Sequence, residues 1–163
     1  MHKPDLQLDR ARRLLRVGFG LTAIVAGADK FFNVLTDWTM YLSPVAEALS
    51  PVSAQASMHL AGIVEVLVGV ALLTPLVQPA SYVLAGWLGA IALNLLLTGH
   101  YFDIAARDVL LALAAYTLAS LTVASRERSE AGRGGRDMCA AMESHAMSED
   151  LDDNIAVQHP FVK

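Results

Sequence analysis

The chain has a single cysteine in 163 residues, few charges for its length, and no glycine-rich phosphate loop. One thiol, Cys139, cannot form an internal disulfide or a Cys-x-x-Cys pair, which excludes thiol–disulfide exchange within one chain. No basic, aromatic-rich segment accompanies the net charge of −4, which argues against nucleic acid as a partner. Charged residues make up 17% of the chain, against about 25% in an ordinary soluble domain.

What remains is apolar and badly mixed. Hydrophobic residues reach 55% and the mean hydropathy is +0.45. Asp, Glu, Lys and Arg are absent from the 37 residues between Val66 and Phe102, and from the 17 between Val109 and Ser125. A bilayer span needs only about 20 mostly apolar residues. The sequence is that of an integral membrane protein with lipid as its first partner.

Four apolar segments can be drawn, over about residues 14–35, 57–73, 80–98 and 104–124. Pro75 and Pro79 split the long charge-free stretch, because proline lacks an amide donor and ends or kinks a helix. A tight turn over Thr74–Pro79 between antiparallel helices is therefore expected. Lys3, Arg10, Arg12, Arg13 and Arg16 precede the first segment, and Arg126, Arg128, Arg133 and Arg136 follow the fourth. The connections at 36–56 and 99–103 hold no Lys or Arg. The positive-inside rule then puts both termini in the cytoplasm, which an even number of spans requires. The expected architecture is an all-α transmembrane four-helix bundle, multi-pass in the inner (plasma) membrane. Residues 1–13 form a cytoplasmic N-terminal segment, 14–125 the bundle and 126–163 a flexible cytoplasmic tail. Ala26-Gly27-Ala28 could serve as a signal-peptide cleavage site, but apolar character resumes at Phe31, Phe32, Val34 and Leu35, so a retained span is the expected reading. Trp38 and Tyr41 in the first connection suit the membrane interface.

The ionisable and polar residues of the apolar region sort to the outer side: Asp29, Lys30, His59, Glu65, Asn94, His100, Asp103, Arg107 and Asp108. Such groups are costly in hydrocarbon and face a bundle interior or a cavity. At about 100° per residue, Gly20, Ala23, Gly27 and Lys30 share one helix face, Gly62, Glu65 and Gly69 a second, and Asp108, Ala112, Ala115 and Ala119 a third. Small residues mark the stripes along which membrane helices approach closely. Lys30, Glu65 and Asp108 thus lie on packing faces. Lys30 is the first choice of partner for Glu65, and Arg107 the second. Two readings stay open: an ion pair that only fixes helix register, or a polar pocket near the outer face for a proton, a quinone head group or a small solute. The candidate pocket comprises Asp29, Lys30, His59, Glu65, Asn94, His100, Arg107 and Asp108; no catalytic residue is assigned. His59 and His100 could be imagined as haem ligands, yet His59 points about 120° from Glu65, and no metal or haem site is assigned. His145 and His159 carry no ligand spacing. Met138, Met142 and Met147 beside Cys139 have the softness of a soft-metal site but are read as tail composition.

Arg16-Val17-Gly18-Phe19, Gly27-Ala28-Asp29-Lys30-Phe31, Gly62-Ile63-Val64-Glu65 with Gly69, and Arg107-Asp108 together resemble the DoxX family of small four-helix membrane proteins, over about residues 10–125. The resemblance implies a bundle linked to membrane redox systems, such as thiosulfate:quinone oxidoreductase and complexes handling thiol or oxidative stress. It implies a subunit without catalytic activity of its own, beside a redox-complex partner or in a homo-oligomer, with quinone the one cofactor it brings in. Of the family's positions only Lys30 and Glu65 are carried over. The acidic tail departs from the compact family pattern. The reading from another class is a small-solute or proton carrier acting as an oligomer.

Overall fold

A computed structural model describes residues 3–158, and among these no strand occurs. Five α-helices and one 3₁₀ turn follow in order: α1 (Lys3–Phe32), the 3₁₀ turn (Trp38–Tyr41), α2 (Pro44–Leu49), α3 (Ala54–Leu73), α4 (Val77–Leu97) and α5 (Phe102–Gln158). His159 lies outside the described residues. The chain divides into two compact units, Met1–Val123 and Ala124–Lys163.

Among the described residues, three helices are long and apolar enough to cross a membrane: α3, α4 and the part of α5 over Phe102–Glu143. The fourth expected segment is the C-terminal part of α1, which is long enough but more charged. Its uninterrupted apolar run is Val17–Ala28, closed by Arg16 on one side and by Asp29 and Lys30 on the other. Many large apolar side chains, such as Leu60, Leu67, Leu93 and Leu110, point outward, while Asp29, Lys30, Glu65 and Asp108 are buried. This inverted distribution suits a lipid surround, in which exposed leucine carries no penalty.

Local signals set the ends. Ser43 caps α2 by accepting from the Ala46 amide, and Ser53 caps α3 by accepting from that of Ala56. Asp37 accepts from the Thr39 hydroxyl at 2.6 Å and its amide at 3.0 Å, starting the 3₁₀ turn. These bonds, the hydroxyl first, hold the Asp37 carboxyl below its ordinary range. The connection between α3 and α4 is shorter than the expected Thr74–Pro79 turn. Thr74 closes α3, and Pro79 sits in the first turn of α4, where a missing amide hydrogen has no helical partner to lose. Asn33 leaves α1 in the left-handed region at φ 51°, a conformation its short polar side chain tolerates.

The tightest packing is between α1 and α3, which run antiparallel. A Cβ on Gly27 would lie 2.6 Å from the Gly62 carbonyl oxygen, and a Cβ on Gly62 would lie 2.6 Å from that of Gly27. Seven residues away on both helices, a Cβ on Gly69 would lie 2.8 Å from the Gly20 oxygen. The expected small-residue faces of these two helices are therefore the ones in contact. At the far end Arg16 donates from Nε to the Leu72 carbonyl at 2.8 Å and from Nη2 to those of Leu73 (2.7 Å) and Thr74 (3.0 Å). It satisfies the orphan carbonyls that end α3. A core of Val68, Leu72, Val77, Leu84, Ala115 and Leu118 joins α3 and α4 to the first part of α5. Ala115 and Ala119, on the expected face of α5, are fully buried.

Within the second unit, α5 stays helical where the sequence led us to expect a flexible extension from Arg126. Side chains from Arg126 to Glu143 are exposed. Gly132, Gly134 and Gly135 each cost about 1 kcal/mol in a helix, but propagation from an existing helix adds a backbone bond per residue and avoids a new nucleus.

Candidate functional site

Lys30 ends α1, and Glu65 lies eleven residues into α3, about 16 Å along its axis. Helical side chains lean toward the N-terminus of their own helix. In an antiparallel pair the two lean toward one another, and Lys30 Nζ donates to Glu65 Oε2 at 2.6 Å. Both side chains are under 10% exposed. The glycine crossings explain the closeness: the Cβ of Glu65 is among the atoms that crowd Gly27, and that of Lys30 among those that crowd Gly62.

Two tryptophans complete the pair. Trp38 lies with its ring centroid 3.8 Å from Lys30 Nζ, a cation–π contact. Its indole N–H donates to Asp29 Oδ2 at 2.8 Å, while Asp29 also accepts from the amides of Val34 and Leu35. Asp29 thus folds the chain leaving α1 back over its own lysine. Trp87 of α4 donates from Nε1 to Glu65 Oε1 at 3.3 Å. The two carboxylate oxygens of Glu65 are held from opposite sides, one by a cation and one by an indole.

Asp108 is buried on α5. Its ion-pair contact is Arg107 Nε at 3.5 Å. The Arg107 side chain itself is 66% exposed, so Arg107, the second choice for Glu65, instead meets its own neighbour. Asn94 serves the connection between α1 and α3: its side chain donates to the Tyr41 carbonyl at 2.7 Å and accepts from the Ser43 amide at 3.0 Å. His59 pairs with Gln55 and stacks on Phe31 with centroids 4.9 Å apart. His100 is exposed, in edge contact with Tyr101. Of the eight candidate residues, contacts link Lys30 to Glu65 directly and to Asp29 through Trp38, while Asp108 is buried and meets Arg107. Asn94 anchors the loop, His59 is half-buried against Phe31, and His100 and Arg107 are exposed. Among the described residues no group of three or more His, Cys, Asp or Glu is placed to hold a metal ion.

A cavity of about 390 Å³ opens beside the pair, with Glu65 and Trp87 in its wall. The rest of its lining is almost wholly apolar, including Leu15, Phe19, Leu84 and Leu111. On α1 it extends from Leu14 to Ala26, about 18 Å by helical rise. Gly18 lies on it, and a Cβ added there would meet nothing within 4 Å. This is an elongated apolar groove ending at a carboxylate. Sequence reasoning found neither the groove nor the tryptophans. Trp38 read as an interfacial residue, Trp87 was not singled out, and no spacing rule links either to α3.

The DoxX family model matches residues 11–100 of the chain. The chain belongs to the DoxX family. The matched DoxX region contains both glycine crossings, Arg16, the Lys30–Glu65 pair and both tryptophans, and stops before Asp108. No curated protein and no solved structure matches the chain.

Proposed function

We propose that this DoxX protein is a membrane subunit that supports a redox complex without catalysing a reaction itself. In this reading it holds the polar head of a quinone-class ligand at Glu65, with the ligand's apolar chain in the groove. One observation carries it: the Glu65 carboxylate, fixed by Lys30 and Trp87, stands in the wall of an otherwise apolar cavity of about 390 Å³. An amphiphile with a hydrogen-bonding head fits that combination, because apolar walls exclude water and a few placed polar groups orient the ligand. The same proposal takes α1 as a fourth span of a bundle in the inner membrane, with both termini in the cytoplasm. Cys139, the one cysteine in the chain, tests that topology: a membrane-impermeant thiol reagent should reach it only from the cytoplasmic face.

The chain's two tryptophans both touch the ion pair, so their fluorescence reads the site. A short-chain quinone should quench it saturably in detergent micelles. Gly18→Leu, which fills the groove, and Glu65→Gln should each weaken the apparent affinity at least tenfold. Gly86→Leu adds equal bulk where a Cβ meets nothing and should not. Linear, unsaturable quenching that is equal in all four proteins would refute the binding site. Recovery from native membranes, at native expression, only as a lone chain or homo-oligomer would refute the complex.

Asp108 supports a second reading, an oligomeric carrier for protons or small solutes. Among the described residues it is a third buried acid to one buried lysine, an excess of acids of the kind an intramembrane proton relay uses. Unchanged proton flux through Glu65→Gln in reconstituted vesicles would remove it.

A further inference from the structure

We propose that the exposed face of α5 at Met138, Cys139 and Met142 is a binding site for monovalent copper. Of the six Met, one Cys and five His in the chain, three, one and one fall within residues 138–147. Read as an irregular tail, that concentration has no geometry. The structure gives it one, because the segment is helical throughout. Met138 and Met142 are one turn apart, and Cys139 stands three residues before Met142. Side chains at these separations sit about 5–6 Å apart at Cβ and face one another. His145 follows Met142 by another three residues on the same side, since Met138, Met142 and His145 fall within about 60° of helix circumference.

The exposure of these residues supports the assignment. Met138 and Met142 are 66% and 68% exposed, and Cys139 is exposed as well. The segment around them is otherwise small, polar and charged, and among the described residues neither thioether belongs to the packed core. Their chemistry is selective. Thioether and thiolate sulfurs favour Cu(I), whereas Mg²⁺ and Ca²⁺ require oxygen donors. Zinc takes Cys, His and carboxylate ligands rather than thioethers. Met142 stands between the other two, about 40° from Met138 and 60° from Cys139 around the helix, so the three sulfurs lie within about 100° of its circumference and offer three donors to a single Cu(I). Binding replaces the thiol proton of Cys139, which leaves to solvent, with no change in the oxidation state of metal or sulfur.

The test uses the full chain in detergent micelles, with Cu(I) supplied anaerobically against a competing chelator of known affinity. One Cu(I) per chain is expected, with sulfur-only nearest neighbours in X-ray absorption spectra and no comparable retention of Zn(II). Cys139→Ala alone, and Met138→Leu with Met142→Leu, should each lower the Cu(I) affinity at least tenfold. All three positions are exposed, so helix content by circular dichroism should not change, which separates loss of a ligand from loss of fold. Affinity undiminished in the double methionine variant, or nitrogen and oxygen neighbours in the spectrum, would overturn the proposal. Tight Zn(II) binding at the same residues would overturn it equally.

Discussion

Gly27 and Gly62 face one another so closely that a Cβ on either would lie 2.6 Å from the other's carbonyl oxygen. That approach sets the distance across which Lys30 and Glu65 meet, and it makes the α1–α3 pair sensitive to single methyl groups.

Gly27→Ala and Gly62→Ala should each destabilise the protein by about 1–3 kcal/mol, the range for forcing extra bulk into a packed contact. Gly18→Ala should be neutral or slightly stabilising, because its Cβ enters open space and alanine is the better helix former by about 1 kcal/mol. Thermal unfolding in detergent checks the contrast. Equal shifts at positions 18 and 27 would mean that α1 and α3 do not touch here.

Lys30→Met should be more damaging than Glu65→Gln. The methionine leaves a buried carboxylate with no cation, at a cost of about 3–5 kcal/mol. Glutamine is neutral and keeps an oxygen for the lysine, which retains the Trp38 ring. The double variant should be more stable than Lys30→Met alone, since it removes the stranded charge. A double variant no better than the sum of its parts would contradict the pairing.

Arg16→Leu should loosen the end of α3 by about 1.5–3 kcal/mol, the range for hydrogen bonds to a charged group. Arg16→Lys should recover only part of this, because an ammonium cannot reproduce the planar fork that reaches three carbonyls. Hydrogen exchange in the last turn of α3 reads the effect directly. Full rescue by lysine would reduce the role of Arg16 to its charge.

Trp38→Phe and Trp38→Ala separate the two functions of that ring. Phenylalanine keeps a face over Lys30 but loses the N–H to Asp29, which should cost about 1.5–3 kcal/mol. Alanine loses both and should cost about 3–5 kcal/mol. Comparison of their thermal midpoints gives the answer, with Trp87 as the remaining fluorophore. Identical midpoints would show that the ring contributes nothing over the lysine.

The sequence made some of this legible and hid the rest for definite reasons. The 3.6-residue period put Gly27 with Lys30 on one face and Gly62 with Glu65 on another, and charge complementarity then paired Lys30 with Glu65; that Gly27 meets Gly62 depends on the helix crossing and was not legible. Pro79 looked like part of a turn because proline marks turns and first helical turns alike, and only the neighbouring helix end decides which. Arg16 counted as an inward-side charge, since the carbonyls it meets belong to a helix more than 50 residues away. Trp87 and the groove depend on how three helices pack around α3, which no single-helix pattern encodes. His59 points away from Glu65 as its helical phase implies, against Phe31, and His100 lies in the connection between α4 and α5, whose path no helical period encodes.

The connection after α1 is pinned twice, by Asp29 of α1 through Trp38 and by Asn94 of α4 through Tyr41 and Ser43. It therefore acts as a lintel across two posts: α1 cannot swing away from α4 at this edge without breaking one of its fastenings. At the other end of α1 the matching fastening runs to α3 instead, through Arg16 and the carbonyls of Leu72, Leu73 and Thr74, so the two ends of α1 are tied to different neighbours.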